Sequence, residues 1–295
     1  MALVISVFEQ GFIYAVMALG IYITYKILDF PDLTVDGSFP MGAAIAAIMI
    51  TKGIPAIITL PVAFLAGGLA GHITGLIHVK LHVRDLLSGI IVMTALYSVN
   101  LWIMGKANIP LYNNETIFDN GIVNSIFVGP LADFATSIIL LVIVLVVKLI
   151  LDWYLRTKSG FMLRAVGSNA RLVTSMGINK GKIKIIGLVI ANGLCTLGGC
   201  LYAQEQRYAD VSMGTGTMVI GLASVIIGTT LFRKVNFMSV TTSVVIGSIL
   251  YKACVAVAVH FLRNANDLKL ITSVLFLIIL VVSMDKKRKV ASEDA

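Results

Sequence analysis

Few residues of this chain have the types and spacing that metal chemistry needs. His78 and His82 lie four positions apart, so both imidazoles could face one side of a helix and bind zinc. No glutamate follows His78, however, and the cationic Lys80 lies between the two histidines. We therefore predict no metal site.

A glycine-rich stretch superficially resembles a phosphate-binding loop. Gly177, Gly181 and Lys182 are spaced too closely for such a loop, and Ile183 stands where a hydroxyl that binds Mg²⁺ should be. We therefore predict that the chain has no catalytic residues, and that it holds no cofactor and no ATP of its own.

A polar break at residues 28–38 separates two apolar runs near the N-terminus. Irregular backbone at membrane depth is tolerated where it lines a cavity or faces protein. The carboxylates in this break have two interpretations, since they could cap helix starts or line a gate. The second interpretation predicts a translocation pathway that includes Asp32, Thr34, Asp36 and Ser38.

A second charged group, Lys252, lies well inside an apolar run. Its ammonium group could extend past Tyr251 to the membrane surface, or it could face a water-filled path. Both interpretations stay open from the sequence, and we include Lys252 among the candidate pathway residues.

The segment 156–182 carries the signals of a short helix with both ends marked. Asn169 is a good N-cap, and Gly177 stands where a left-handed residue would end a helix over residues 170–176. Such a helix could lie in a loop that neutralises lipid headgroups, or it could dock a partner protein.

The composition shows which elements must position these residues. Of 295 residues, 58% are hydrophobic and 13% are charged, and the mean hydropathy is +0.95. A water-soluble protein needs more polar surface than this. Continuous apolar runs predict an all-α, polytopic transmembrane helical bundle rather than a β-barrel. The net charge of +8 indicates cationic cytoplasmic loops rather than nucleic acid binding.

Hydropathy predicts roughly nine membrane spans. The second is conspicuous, because its apolar part is short and Pro40 and Gly42 open it, which predicts a broken or re-entrant element. The predicted spans are residues 4–27, 39–50, 54–77, 86–104, 134–155, 183–203, 213–231, 237–261 and 270–284.

Lysine and arginine concentrate on one side when alternate loops are assigned to opposite sides of the membrane. The richer side includes residues 156–182 and the tail, so we predict that it is cytoplasmic, with the N-terminus outside and the C-terminus inside. The loop 105–133 would lie outside. We expect one transmembrane domain over residues 1–285, a charged cytoplasmic tail over 286–295, and no removable signal peptide.

Glycines recur at helical spacing in two of the spans. Small residues let helices approach closely, which favours packing within the subunit over a seam between two copies. The glycines are Gly67, Gly71 and Gly75 in one span and Gly187, Gly193, Gly198 and Gly199 in another.

Two stretches resemble a known family. Ala165-Val-Gly-Ser-Asn-Ala, Met176-Gly-Ile-Asn and Lys182-Ile-Lys, followed by Gly193 and Gly198-Gly199, are similar to the cytoplasmic coupling segment of ATP-binding cassette (ABC) importer permeases of the branched-chain amino acid and ribose type. Asp32-Leu-Thr-Val-Asp-Gly-Ser-Phe-Pro-Met-Gly-Ala is similar to a motif of the sugar permeases. It is more similar still to a subgroup often assigned to aromatic amino acids. Asp36 is an insertion relative to the sugar motif, and the first helix of the longer sugar permeases is missing.

The resemblance implies a permease subunit of an importer in a bacterial cytoplasmic membrane, with an amino acid-like substrate favoured. It implies cytoplasmic ATPase subunits that bind ATP and Mg²⁺, a second permease subunit in a homodimer, and an extracytoplasmic substrate-binding protein. The residues implied in ATPase coupling are Asn169, Ala170, Arg171, Leu172, Met176, Gly177 and Ile178.

Two other functions were weighed. An ion-coupled secondary transporter would need paired carboxylates at mid-bilayer depth, and the spans after the polar break carry none. A membrane-embedded enzyme would need convergent catalytic groups, and the four histidines have no partners at suitable sequence spacing.

Overall fold

The protein is an α-helical bundle. The computed structural model describes residues 2–127, 132, 134–232, 238–261, 270 and 272–281. The predicted helices are confirmed as a class, because most of these residues are helical. In chain order the helices are α1 Ala2–Ile21, α2 Val35–Thr51, α3 Thr59–Lys80, α4 Asp85–Met104, α5 Gly121–Ile126, α6 Ala135–Leu155, α7 Lys158–Ser168, α8 Ala170–Ser175, α9 Lys180–Gln206, α10 Thr217–Leu231, α11 Val240–Phe261 and α12 Thr272–Val281.

The span count agrees with the sequence. In the described part of the chain, 7 helical stretches are long and apolar enough to cross a membrane, and two shorter apolar helices, α2 and α12, accompany them. Two predicted span ends, Phe237 and Met284, lie outside the described residues, as does the predicted tail 286–295.

The second element differs from its prediction. α2 begins at Val35 and continues through Pro40, which lies inside the helix rather than at its start. Proline lacks an N–H, so this position removes one helical hydrogen bond without ending the helix. The break precedes α2: a π-helix, Tyr22–Ile27, continues α1 and is followed by a loop that leads to Val35.

The predicted seventh span, residues 213–231, is not one continuous α-helix in the structure. A 3₁₀ turn at Val211–Gly214 precedes α10, which has only 15 residues. A helix of that length is about 22 Å long, less than the ~30 Å of a bilayer core. α10 therefore starts inside the bundle rather than at its surface.

α9 is the central helix, and glycines let its neighbours pack closely. An added Cβ at Gly71 on α3 would lie 2.2 Å from the Leu188 carbonyl oxygen, and one at Gly199 would lie 1.8 Å from the Phe39 oxygen. Backbone contact of this kind joins α3 and α2 to α9. The glycines of α3 and α9 thus pack within the subunit, as their spacing predicted.

One end of the bundle carries a small sheet that was not predicted. β1, Asn108–Pro110, pairs antiparallel with β2, Tyr208–Asp210, so that Asn108 lies opposite Asp210. The ladder ties the connection after α4 to the connection after α9. We call this the hairpin end; the opposite end carries α7 and α8.

Candidate functional site

The short helix predicted in segment 156–182 is confirmed, with its end shifted by one residue. The Asn169 side chain accepts a hydrogen bond from the Leu172 amide at 3.0 Å, and Gly177 is left-handed with φ of 76°. α8 ends at Ser175, and Met176 is its C-cap. These are the local cap signals that the sequence contained.

A second helix in this segment was missed. α7 begins after Thr157, whose side chain accepts from the Gly160 amide, and Asn169 ends α7 while it caps α8. α7 is amphipathic rather than uniformly apolar, and its buried Leu163 and Val166 anchor it. A period-3.6 search with Thr157 as the N-cap could have found it.

α8 presents an apolar face to the outside of the bundle. Val173 is buried, whereas Leu172 and Met176 are 57% and 67% exposed, and Arg171 is exposed beside them. Residues four apart lie on one side of a helix turn. The arrangement anchors the helix by one residue and leaves a small apolar and cationic surface free. Of the other predicted coupling residues, Ala170 and Ile178 are half-buried.

α7 contacts the end of the π-helix directly. An added Cβ at Gly167 would lie 1.7 Å from the Ile27 carbonyl oxygen, so the two backbones touch. Arg164 on α7 also donates a hydrogen bond to the Leu155 carbonyl at the end of α6, at 2.6 Å. A displacement of α7 would therefore reach both α6 and the loop that begins at Leu28.

Three of the predicted pathway residues lie in the interior of the subunit. Asp32 accepts hydrogen bonds from the Thr34 amide at 2.9 Å and from the Asn192 side chain at 2.7 Å. Ser38 donates to the Asn192 oxygen at 3.0 Å. The Thr34 hydroxyl is 2.9 Å from that of Thr74 on α3. Asp32, Thr34 and Ser38 are at most 1% exposed, so this network joins the loop, α2, α3 and α9.

Burial raises the pKa of Asp32, and the hydrogen bonds from Thr34 and Asn192 oppose that rise. Asn192 lies near the middle of α9, which places the carboxyl group far from both ends of that helix. Sequence reasoning missed Asn192, because only the fold brings it to Asp32.

Asp36 caps a helix, but not its own. Its carboxylate accepts from the Gly216 amide at 3.1 Å, the Thr217 hydroxyl at 3.0 Å and the Met218 amide at 2.7 Å. The first amides of a helix have no partner within it and carry partial positive charge. Asp36 supplies that partner for α10, which begins in the interior. Together we call Asp32, Thr34, Asp36 and Ser38 the polar junction; their role as pathway residues stays a prediction.

Lys252 extends towards α1. Its ammonium lies 3.7 Å from the centre of the Tyr14 ring and 3.4 Å from the Gln10 side-chain oxygen. Tyr251, past which the sequence allowed Lys252 to extend, is fully buried. Among the described residues, no carboxylate lies within 4 Å of this ammonium.

The Tyr14 ring beside this lysine packs against two further aromatic rings, and sequence reasoning missed the group. The centroids of Tyr14 and Phe39 are 5.8 Å apart, those of Tyr14 and Tyr202 are 5.8 Å apart, and those of Phe39 and Tyr202 are 5.7 Å apart. We call these rings the aromatic triangle. The three residues belong to α1, α2 and α9, so sequence spacing does not predict that their rings lie together.

Both ring nitrogens of His78 have close polar neighbours. His78 has one ring nitrogen 2.9 Å from the Val83 carbonyl oxygen and the other 3.1 Å from the Lys184 ammonium. Within the described ranges, no group of three or more potential metal ligands occurs.

Comparison with known proteins gives consistent results. A family model described as the permease component of branched-chain amino acid transport systems matches residues 3–284. The tyrosine transport system permease protein of Clostridioides difficile is 46% identical over 274 residues, 93% of this chain and 89% of the relative. The ribose import permease protein of Haemophilus influenzae is 26% identical over 231 residues, 77% of this chain and 68% of the relative. A probable branched-chain amino acid transport permease of Methanocaldococcus jannaschii is 28% identical, over 72% of this chain and 70% of the relative. No solved structure matches the chain.

Proposed function

We propose a detailed function from the premise that this chain belongs to the family of branched-chain amino acid transport permeases, and is thus the permease subunit of an ABC importer. The proposed substrate is an α-amino acid with an aromatic side chain. The observation that carries this choice is the 46% identity, over nearly the whole chain, to a protein named as a tyrosine permease.

The proposed partners follow from the surfaces of the subunit. Cytoplasmic ATPase subunits, which bind ATP and Mg²⁺, would dock on the exposed face of α8. An extracytoplasmic binding protein would deliver substrate at the hairpin end. A second copy of this chain would complete the pathway. The contact of Gly167 with Ile27 supports the coupling role, because it connects α7 to the start of the loop that carries Asp32 and Thr34 of the polar junction.

We place the chain in a bacterial cytoplasmic membrane with its N-terminus outside. The cationic α7–α8 segment supports this orientation, since such loops stay in the cytoplasm. In the same scheme, motion of α7 changes water access at the polar junction. Cysteines placed at Thr34 and Ser38 should then react with thiol reagents faster when ATP and the loaded binding protein are present. Equal reactivity throughout a verified transport cycle would remove both residues from the pathway.

The decisive experiment is reconstitution. The chain would be purified with its ATPase and binding protein and placed in liposomes, and ATP-dependent uptake of radiolabelled tyrosine, leucine and ribose would be measured. We expect tyrosine uptake that stops without ATP or without the binding protein. Uptake of ribose alone would contradict the proposed substrate, and uptake that needs an ion gradient instead of ATP would contradict the proposed mechanism.

A further inference from the structure

Lys252 is a cation with few partners in the part of the chain that the structure describes. An ammonium group has three N–H donors, and Lys252 has Gln10 at 3.4 Å and the Tyr14 ring face at 3.7 Å. Lys252 is near the middle of α11, where an ionised group is costly and usually functional. The two contacts of Lys252 therefore do not account for the presence of an ionised group at this depth in the span.

A carboxylate lies near this lysine without pairing with it. Glu205 near the end of α9 interacts electrostatically with Lys252, yet the ion pairs of the described residues do not include the two together. The hydrogen bond of Glu205 comes from the adjacent Gln206 at 2.6 Å. The two opposite charges are thus more than 4 Å apart.

Glu205 also lines a cavity of about 340 Å³ near the hairpin end. Glu9, Gln204 and Arg207 contribute to the same cavity. The volume lies at the lower end of the range for small-molecule sites, which suits an amino acid.

Arg207, the cation of this cavity, is already engaged. Its guanidinium donates to the Asp119 carboxylate and to the Asn114 carbonyl oxygen, and the hydrogen bond from Arg207 lowers the pKa of Asp119. Lys252, by contrast, has no carboxylate within 4 Å among the described residues, so it retains capacity to bind an added carboxylate.

We infer that Lys252, Glu205 and the aromatic triangle form a recognition site for zwitterionic aromatic amino acids on the translocation pathway, an inference that rests on the proposed function. The substrate carboxylate binds the Lys252 ammonium, and the substrate ammonium binds Glu205. The half-buried Tyr202 offers the apolar face against which the substrate ring packs. Tyr14, held beneath the ammonium, keeps Lys252 oriented in the absence of substrate.

The test uses the reconstituted transporter with saturating, preloaded binding protein, and it records uptake and ATP hydrolysis separately. We expect Lys252→Met to lower tyrosine uptake about tenfold, the effect of losing one charged hydrogen bond. ATP hydrolysis stimulated by the binding protein should persist, because α8 is untouched. Lys252→Arg should restore part of the uptake.

Lys148→Met is the matched control, since this lysine also lies within a span but bonds Asp152 at 2.9 Å one helical turn away. It should leave uptake within about twofold of the unmodified protein. Glu205→Gln, near the end of α9, removes the other charge of the proposed site and keeps Lys252. It should lower uptake as Lys252→Met does.

Several results would overturn the inference. Uptake by Lys252→Met equal to that of Lys148→Met would do so. So would a parallel loss of uptake, ATP hydrolysis and thermal midpoint that Lys252→Arg does not rescue, since that is the signature of a structural lysine. If Lys252→Met does not fold, normal uptake by Glu205→Gln overturns the inference and reduced uptake with intact ATP hydrolysis supports it. Absence of amino acid uptake by the unmodified transporter would instead refute the proposed function, before any variant is compared.

Discussion

The coupling segment and the polar junction carry the two groups of predicted site residues, and they are built in opposite ways. α8 is held by a single buried side chain, Val173, and exposes Leu172 and Met176. In the polar junction, Asp32 and Asp36 each accept hydrogen bonds from groups far away in the sequence. A surface with exposed apolar side chains is suited to binding a partner. A satisfied interior network is suited to fixing helices relative to one another.

The largest effect that this contrast predicts is on folding. Asp36→Ala leaves the Gly216 and Met218 amides at the start of α10 without their acceptor, at a cost of about 3 kcal/mol. We expect a lower thermal midpoint in detergent and less folded protein in the membrane. Asp210→Ala is the control, because the hydrogen bonds of Asp210 to Ser212 and Asn108 are exposed to solvent, and their loss should cost about 1 kcal/mol. Equal shifts for the two variants would show that α10 does not depend on its cap.

A change on the exposed face of α8 should act on coupling and not on folding. Combined Leu172→Ser and Met176→Ser should reduce uptake about tenfold, which corresponds to about 1.4 kcal/mol of interface energy. Its thermal midpoint should match that of the unmodified subunit. Combined Leu65→Ser and Leu69→Ser, which changes two equally exposed side chains four residues apart on α3, serves as the control and should leave ATP hydrolysis coupled. If both variants transport normally, α8 is not the docking surface.

The smallest effect concerns the cap of α8. At Gly177, with φ of 76°, an added Cβ meets nothing within 4 Å, so Gly177→Val introduces backbone strain alone, about 1–2 kcal/mol. We expect uptake to fall a few-fold while the amount of protein in the membrane is kept. Gly53 has φ of 78° and equally open surroundings, but lies between α2 and α3. Gly53→Val should therefore cost the same strain and leave coupling intact; a matching loss of uptake would separate Gly177 from coupling.

The same contrast explains how much the sequence could predict. The residues that cap α8, Asn169 and Gly177, are adjacent to the helix in the sequence, so the sequence alone predicts the helix. The start of α10 is set by Asp36, about 180 residues earlier in the chain, and hydropathy cannot detect such a partner. The polar break at residues 28–38 was predicted, but the reason for its burial was not, because Asn192 and Thr74 arrive there only through packing. The membrane spans could be predicted from the hydropathy of the sequence alone.

The π-helix at Tyr22–Ile27 sets the rotational phase of α1 relative to the loop that follows it. A π-helix turns the chain by less than the about 100° per residue of an α-helix, so restoring α-helical winding over the same residues would rotate the whole N-terminal part about the helix axis. Tyr14 and Gln10 would then turn away from Lys252, although neither residue nor its local sequence had changed. At its other end the segment is fixed by contact with Gly167. The winding of the chain between these two contacts is therefore as strict a requirement of the molecule as the chemical identity of the contacting residues.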